Sequence, residues 1–186
     1  MSGHSKWSTI KRKKAVTDAK KGQSFTKISR LVTLAVRSGG KDPESNSALR
    51  LALVKAREVN MPNQVVDRAI EKGAGAEGLA LEQIVLEGYG PEGIAVLIEG
   101  VTDNRNRTVS EVRTVFNRHE GSLGEVGSSA YIFKDRENPS FTLPLEEAKR
   151  EKVLNLLEAL DELDDVQEIY TNLEDGSSNL ETREDT

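Results

Sequence analysis

The spacing of apolar residues changes at the glycine-rich segment GAGAEG, residues 73–78. Before this segment, apolar residues recur every three to four positions, as they do on one face of a helix. After it, the β-branched runs EQIVLEGYG and GIAVLIEGV surround a GYGPEG turn, which is typical of two adjacent strands. A chain with these patterns in succession is expected to form a helical region and then a mixed α+β region.

The region before the glycine-rich segment predicts a bundle of short helices. One helix is expected from about residue 9 to an interruption at Gly22, and a second begins beyond it. A third follows the KDPESNS turn. Pro62 suits the first turn of a fourth helix, which is expected to end before Gly73. We therefore predict a helical domain over residues 1–72, in which residues 1–8 form a short irregular arm and the rest an all-helical bundle.

The region after the segment predicts a sheet with helices on one face. Beyond the first two strands, the order is a helix over 105–118, a short strand SAYIF at 129–133, a helix over 145–163 and a final strand DVQEIYTN. The order ββαβ and then αβ indicates an α+β sandwich. Four leucines are expected on the buried side of the long helix: Leu154, Leu157, Leu160 and Leu163.

Charge follows the same division of the chain. We predict a basic helical domain with its arm over 1–72, a linker over 73–81, an acidic α+β domain over 82–173 and a disordered acidic tail over 174–186. Residues 1–72 hold 16 basic and 6 acidic side chains, while residues 73–186 hold 10 basic and 25 acidic ones. The net charges are +10 and −15, which sum to the −5 of the whole chain. This asymmetry favours a polyanion as the partner of the basic domain.

Several classes of function lack the residues that they need. The chain has no cysteine, which excludes disulfides, thiolate zinc sites and cysteine nucleophiles. Its two histidines form no acid–base pair at a recognisable spacing. No apolar run approaches the roughly 18 residues of a membrane span. We therefore expect a cytoplasmic protein without catalytic residues, metal or cofactor, and without a membrane partner.

Glycine-rich loops offer weak signals. Two G-x-G-x-x-G matches lie in the linker and in the GYGPEG turn, and neither has the strand-to-helix context of a dinucleotide site. A third loop, GSLGEVGSS at 121–129, precedes a predicted strand. It could approach an anion, but the interpretation that we favour is a plain turn.

The first thirty residues concentrate positive charge around the only tryptophan. They hold nine Lys or Arg residues and one acidic residue, Asp18. Contiguous like charges repel one another unless a polyanion neutralises them. Trp7 can stack on bases, or it can pin the arm to the helical bundle. From this region we predict these nucleic-acid-binding residues: Lys6, Trp7, Lys11, Arg12, Lys13, Lys14, Lys20, Lys21, Lys27, Arg30 and Arg37.

A second basic spot is TDNRNRT, residues 102–108. Arg105 and Arg107 stand at the start of a predicted helix, where cations oppose the helix dipole, so we add them to the predicted nucleic-acid-binding residues. The alternative is that Asp103 or Asn104 caps the helix and both arginines are solvated.

Segments along almost the whole chain resemble the YebC/PmpR family. The most specific are GHSKW at 3–7 with KRKKAVTDAKKG at 11–22, and TDNRNRT at 102–108. EGYGPEG at 87–93 and VQEIYTN at 166–172 extend the resemblance. It implies a helical N-terminal domain and two α/β domains, one inserted into the other. It also implies a non-enzymatic function, because the family comprises probable transcriptional regulators of bacteria and translational activators of mitochondria.

The chain departs from the family pattern in one place. Pro144 follows only eleven residues after Phe133, and the inserted third domain of the family would fall in this gap. We expect that domain to be missing. The elements on either side of the gap are expected to complete a single sheet, because they belong to the same family domain.

The function predicted from the sequence is a nucleic-acid-binding regulator of gene expression. A DNA-binding transcriptional regulator and a ribosome-associated translation factor that contacts ribosomal RNA both stay open, since DNA and RNA share the phosphate that basic side chains contact. The acidic domain is expected to orient the basic one or to bind a protein partner. The alternatives from other classes are a small-molecule-binding or enzymatic α/β domain and a structural adaptor.

Overall fold

The structure, a computed structural model, describes three parts of the chain: residues 6–7, 18–75 and 80–174. They fall into two compact units. The helical unit takes in residues 18–75, 80–84 and 101–105. The α/β unit takes in residues 6–7, 85–100 and 106–174. Within these described parts, no helix has both the length and the apolar character to cross a bilayer.

Three helices make up the described part of the helical unit: α1 (Asp18–Gly39), α2 (Ser47–Glu58) and α3 (Asn63–Ala74). Their apolar residues recur at helical spacing and therefore meet on the inner faces. The buried core consists of Ile28, Val32, Ala35, Val36, Leu49, Ala52, Ala56, Met61 and Ala69. The predicted bundle is confirmed over these three helices, whereas residues 9–17 of the predicted first helix lie outside the described residues.

Asn46 fixes the turn between α1 and α2. Its side-chain oxygen accepts a hydrogen bond from the backbone N–H of Leu49 (3.0 Å), which caps α2. Its amide nitrogen donates to the carbonyls of Ala35 and Gly40, at 2.8 Å each. One buried side chain thus satisfies the end of one helix and the start of the next.

Two glycines lie within helices, contrary to the prediction. α1 runs through Gly22 without a break, because a glycine costs a helix only about 1 kcal/mol relative to alanine and the turns that follow, with Phe25 and Ile28, pack in or against the core. Gly73 lies inside α3 rather than beyond its end. A Cβ atom at Gly73 would stand 2.7 Å from the carbonyl oxygen of Thr33, so the glycine allows α1 and α3 to approach closely.

A four-stranded sheet organises the remaining described residues. The strands are β1 (Glu82–Tyr89), β2 (Ala95–Thr102), β3 (Ser122–Leu123) and β4 (Val166–Thr171), in the order β3-β1-β2-β4. β3 pairs with β1 and β4 pairs with β2, both antiparallel. The helices of this part of the chain are α4 (Arg105–Arg118) and α5 (Glu147–Asp161). The fold is therefore α+β, as predicted, and elements from the two sides of the short gap share one sheet.

The predicted strand SAYIF at 129–133 is wrong. The chain turns there, with Ile132 N–H donating to the Ser129 carbonyl (2.9 Å) and Phe133 N–H donating to the Ala130 carbonyl (3.1 Å). Ile132 and Phe133 are both buried in the core, so the apolar signal came from packing rather than from strand pairing.

The buried side of α5 is also shifted from the prediction. Leu157 and Leu160 are buried as expected, but Leu154 and Leu163 are only partly buried. Val153 and Leu156 complete the buried face instead. The predicted leucines followed a strict spacing of three, whereas a helix turns every 3.6 residues and alternates spacings of three and four.

The described part of the arm lies in the α/β unit, whereas the sequence prediction grouped the arm with the helices. Lys6 forms an isolated antiparallel bridge with Tyr170 of β4. The other boundaries of the predicted linker and tail stay predictions, since residues 76–79 and 175–186 lie outside the described residues.

Candidate nucleic-acid interface

Four of the predicted binding residues share one side of α1. At 3.6 residues per turn, Lys20, Lys27, Arg30 and Arg37 fall within about a quarter of the helix circumference, away from the side that buries Val32. We call this set the α1 basic face. Lys21 projects from a different side of the helix. Each of these residues also takes part in an interaction within the protein.

A groove in the helical unit extends this positive surface. It has a volume of about 380 Å³ and lies mainly between α1 and α3. Three cationic side chains, three hydroxyl groups and one carboxylate contribute to its lining. They are Arg30, Arg68, Lys72, Thr26, Ser29, Thr33 and Asp103. We call this feature the α1–α3 groove, and it gives the helical unit a concave site with an excess of positive charge.

Arg68 and Lys72 are not among the residues predicted from the sequence to bind nucleic acid. They lie on α3, four residues apart and therefore on the same side of that helix, and both are exposed. The spacing of these two like charges on one side of a helix is visible in the sequence. Their position beside Arg30 is not visible there, because it depends on how α3 packs against α1.

The walls of the groove are fixed by direct contacts between the helices. The Thr33 hydroxyl donates to the Ala69 carbonyl (3.1 Å), which ties α1 to α3. Gly73 brings the two helices together one turn further along α3. The Arg30 guanidinium donates to the Val101 carbonyl (3.4 Å), which limits the freedom of a long side chain at the rim.

Lys6 has an internal partner in the α/β unit. Glu99 of β2 and Glu168 of β4 stand directly opposite each other, a pairing of like charges that destabilises a sheet. The Lys6 ammonium lies 3.2 Å from Glu168, and the Arg136 guanidinium lies 2.8 Å from Glu99. Lys6 therefore offsets charge repulsion between two strands, and its predicted contact with nucleic acid stays a prediction.

Trp7 is only 6% exposed. A ring so enclosed presents little surface for stacking on a base, so the structure favours the anchoring role over the stacking one. Trp7 itself belongs to the α/β unit, not to the helical bundle. The four contiguous basic residues predicted from the arm, Lys11, Arg12, Lys13 and Lys14, lie outside the described residues.

Arg107 also has an internal partner. Its guanidinium lies 2.8 Å from a carboxylate oxygen of Asp165, which is 3% exposed, and the Thr108 hydroxyl donates to the same oxygen. A buried carboxylate needs such partners, because an unpaired charge is costly away from water. Arg107 thus neutralises a buried charge, whereas Arg105 is exposed at the start of α4.

The GSLGEVGSS loop does hold an anion, but the anion belongs to the protein itself. The buried Glu87 carboxylate accepts hydrogen bonds from the backbone N–H groups of Gly127 (2.8 Å), Ser129 (2.6 Å) and Ala130 (2.7 Å). Burial raises the pKa of Glu87, but these three bonds, with one from the Ser129 hydroxyl, outweigh it and leave the pKa below its usual value. The Gly127 and Ser129 amides of this loop are therefore already used within the fold.

Two family models match the chain. The model of the TACO1/YebC protein N-terminal domain matches residues 5–76, and that of the TACO1/YebC second and third domain matches residues 81–138. The helical unit falls mostly in the first match, and the β1–β3 part of the α/β unit falls in the second.

Proteins of known sequence from several bacteria are similar to this chain. A probable transcriptional regulatory protein of Persephonella marina is 53% identical over 137 residues, which cover 73% of this chain and 55% of that protein. The probable transcriptional regulatory protein YrbC of Bacillus subtilis is 54% identical over 135 residues, covering 72% and 56%. For Cphamn1_0542 of Chlorobium phaeobacteroides, another probable transcriptional regulatory protein, identity is 49% over 171 residues, covering 89% and 68%. The chain thus spans little more than half the length of the first two relatives.

A solved structure shares the fold. The crystal structure of a conserved hypothetical protein, Aq1575 from Aquifex aeolicus, matches with a TM-score of 0.79 at 33% sequence identity. The match covers 89% of this chain and 95% of that one.

Proposed function

The chain belongs to the TACO1/YebC family, and we propose that it is a non-enzymatic regulator of gene expression that binds nucleic acid through its helical unit. The family is the one that the sequence resemblance indicated. The observation that carries the proposal is the α1 basic face, which continues into a groove lined by further cations. Positive charge gathered on one side of a module is the electrostatic feature that attracts a phosphate backbone.

Duplex DNA is the first candidate target. The relatives are called probable transcriptional regulatory proteins, which supports action on transcription, and we propose that this action takes place in the cytoplasm. Lysine and arginine side chains contact phosphate in either polymer, so ribosomal RNA is the alternative target, and a ribosome-associated translation factor is the alternative function. In both cases we expect affinity to come from backbone contacts and sequence preference to be weak.

Crosslinking in cells, followed by sequencing of both the bound DNA and the bound RNA, separates these targets. Enrichment of promoter DNA over a no-crosslink control supports the transcriptional function. Enrichment of ribosomal RNA supports the translational alternative. If neither DNA nor RNA is recovered above the control, the proposal of a nucleic-acid-binding regulator is wrong.

A further inference from the structure

We propose that the α1–α3 groove is a binding site for a phosphodiester of a nucleic-acid backbone, with Arg68 and Lys72 as its main contacts. The inference rests on the proposed function and adds a discrete site to it, on a helix that contributes none of the residues predicted from the sequence. It concerns one phosphate position within a larger contact and says nothing of base sequence, because phosphate contacts carry no direct base information.

The arrangement of charge on α3 favours a phosphate in the groove. Arg68 and Lys72 are separated by one helical turn and are both exposed. Like charges at this spacing destabilise a helix by about 0.2–0.5 kcal/mol. Lys72 lies in the last turn of α3, where a cation interacts favourably with the helix dipole. This interaction accounts for Lys72 but not for Arg68. A phosphate between the two side chains converts their repulsion into two attractive contacts.

The residues that line the groove also suit a phosphate. Its three cations and one carboxylate leave two net positive charges, so the site stays attractive after a phosphodiester with one negative charge has bound. The Ser29 hydroxyl lines the same groove and is chemically suited to donate a hydrogen bond to a phosphate oxygen. A volume of about 380 Å³ lies at the small end of ligand sites, which suits a single backbone unit.

The two walls of the α1–α3 groove are held rigidly, which favours a phosphate site. The hydrogen bond between Thr33 and the Ala69 carbonyl and the close approach at Gly73 hold the two walls in place. A site whose walls are already positioned loses little conformational freedom on binding, which leaves more of the charge attraction available as affinity.

The test compares two double variants of the full chain. Arg68→Gln with Lys72→Gln removes the groove cations. Arg50→Gln with Arg57→Gln removes two exposed cations of α2 that do not line the groove, so the net charge changes equally. Glutamine keeps a helix propensity close to that of lysine and arginine. Binding to a short DNA duplex and to a single-stranded RNA is measured by fluorescence anisotropy across a range of salt concentrations, with a thermal melt for each variant.

The groove variant should lose roughly 0.9 units of the slope of log affinity against log salt on DNA, and roughly 0.7 units on RNA, since one phosphate position is lost. The α2 variant should keep the slope of the wild type. Equal losses in both variants would show that net charge alone acts, and an unchanged slope in the groove variant would show that no phosphate binds there. Either result overturns the inference while leaving the proposed function intact. A wild-type chain that binds neither polymer refutes both.

Discussion

The packing of α1 against α3 decides whether Gly73→Ala stabilises or destabilises the helical unit. An ideal Cβ atom at this position would stand 2.7 Å from the Thr33 carbonyl oxygen and 2.8 Å from the Val36 Cβ atom. The closer distance is about 0.7 Å shorter than the 3.4 Å at which ordinary van der Waals contact begins. Backbone atoms and a β-branched side chain cannot swing aside, so Gly73→Ala must push the two helices apart.

The expected magnitude is a balance of two effects. Overpacking a tightly packed core typically destabilises by about 1–3 kcal/mol. Replacing glycine by alanine within a helix contributes about 0.5–1 kcal/mol in the opposite direction. The net loss for Gly73→Ala is therefore about 1 kcal/mol, which corresponds to a fall of roughly 4–8 °C in the melting temperature of a unit of this size.

Gly22→Ala is the matched control. Gly22 also lies within a helix, but a Cβ atom there meets nothing within 4 Å. The same substitution should therefore stabilise the helical unit by about 0.5–1 kcal/mol. Circular dichroism melts of the two variants beside the wild type measure the difference. If Gly73→Ala raises the melting temperature as much as Gly22→Ala does, the close approach of α1 and α3 is not present in solution.

Three further predictions concern the α/β unit. Glu87→Gln should lower the free energy of unfolding by about 2–3 kcal/mol at neutral pH, because charge-assisted bonds to backbone N–H groups are lost. Since the folded-state pKa of Glu87 is lowered, its stabilisation is present above the unfolded-state pKa of about 4.3 and is lost as the pH falls through the folded-state value. Urea unfolding across pH should show a steeper acid loss in the wild type than in Glu87→Gln, and identical profiles would argue against the amide contacts. Arg107→Ala should destabilise the fold by roughly 1–3 kcal/mol, because buried Asp165 loses its cation. It should leave the salt slope of nucleic-acid binding unchanged. A reduced slope with unchanged stability would make Arg107 a phosphate contact instead. Trp7→Ala should destabilise by about 3–5 kcal/mol in a chemical unfolding curve, and an unaltered curve would mean that the ring is not packed in the fold.

Elements with a strong hydrophobic period could be predicted from the sequence. The helix expected over 105–118 is α4 with the same bounds, and DVQEIYTN contains β4. The periodicity of these segments agrees with the tertiary packing that buries them, so local and long-range signals coincide. The strand prediction for SAYIF was wrong because its apolar residues pack inward from a turn whose Ser129 and Ala130 N–H groups bond to Glu87, 42 and 43 residues earlier along the chain.

The candidate site could be predicted only in part. The spacing of lysines and arginines along α1 identified the α1 basic face, because one helix contains all its members. Arg68 and Lys72 were missed, since their position beside Arg30 arises from helix–helix packing that the sequence does not display. For Lys6 and Arg107, composition alone cannot distinguish a phosphate contact from an internal ion pair with Glu168 or Asp165.

Phosphate binding by the α1 basic face can be measured through the salt dependence of nucleic-acid binding. Lys20→Gln, Lys27→Gln and Arg37→Gln combined remove three members of the face without altering the groove cations. On duplex DNA, each phosphate contact contributes about 0.9 to the slope of log affinity against log salt, and on single strands about 0.7. The triple variant should lose roughly 2–3 units of slope relative to the wild type. If the triple variant is folded and retains the full wild-type slope on both DNA and RNA, the α1 basic face does not bind phosphate.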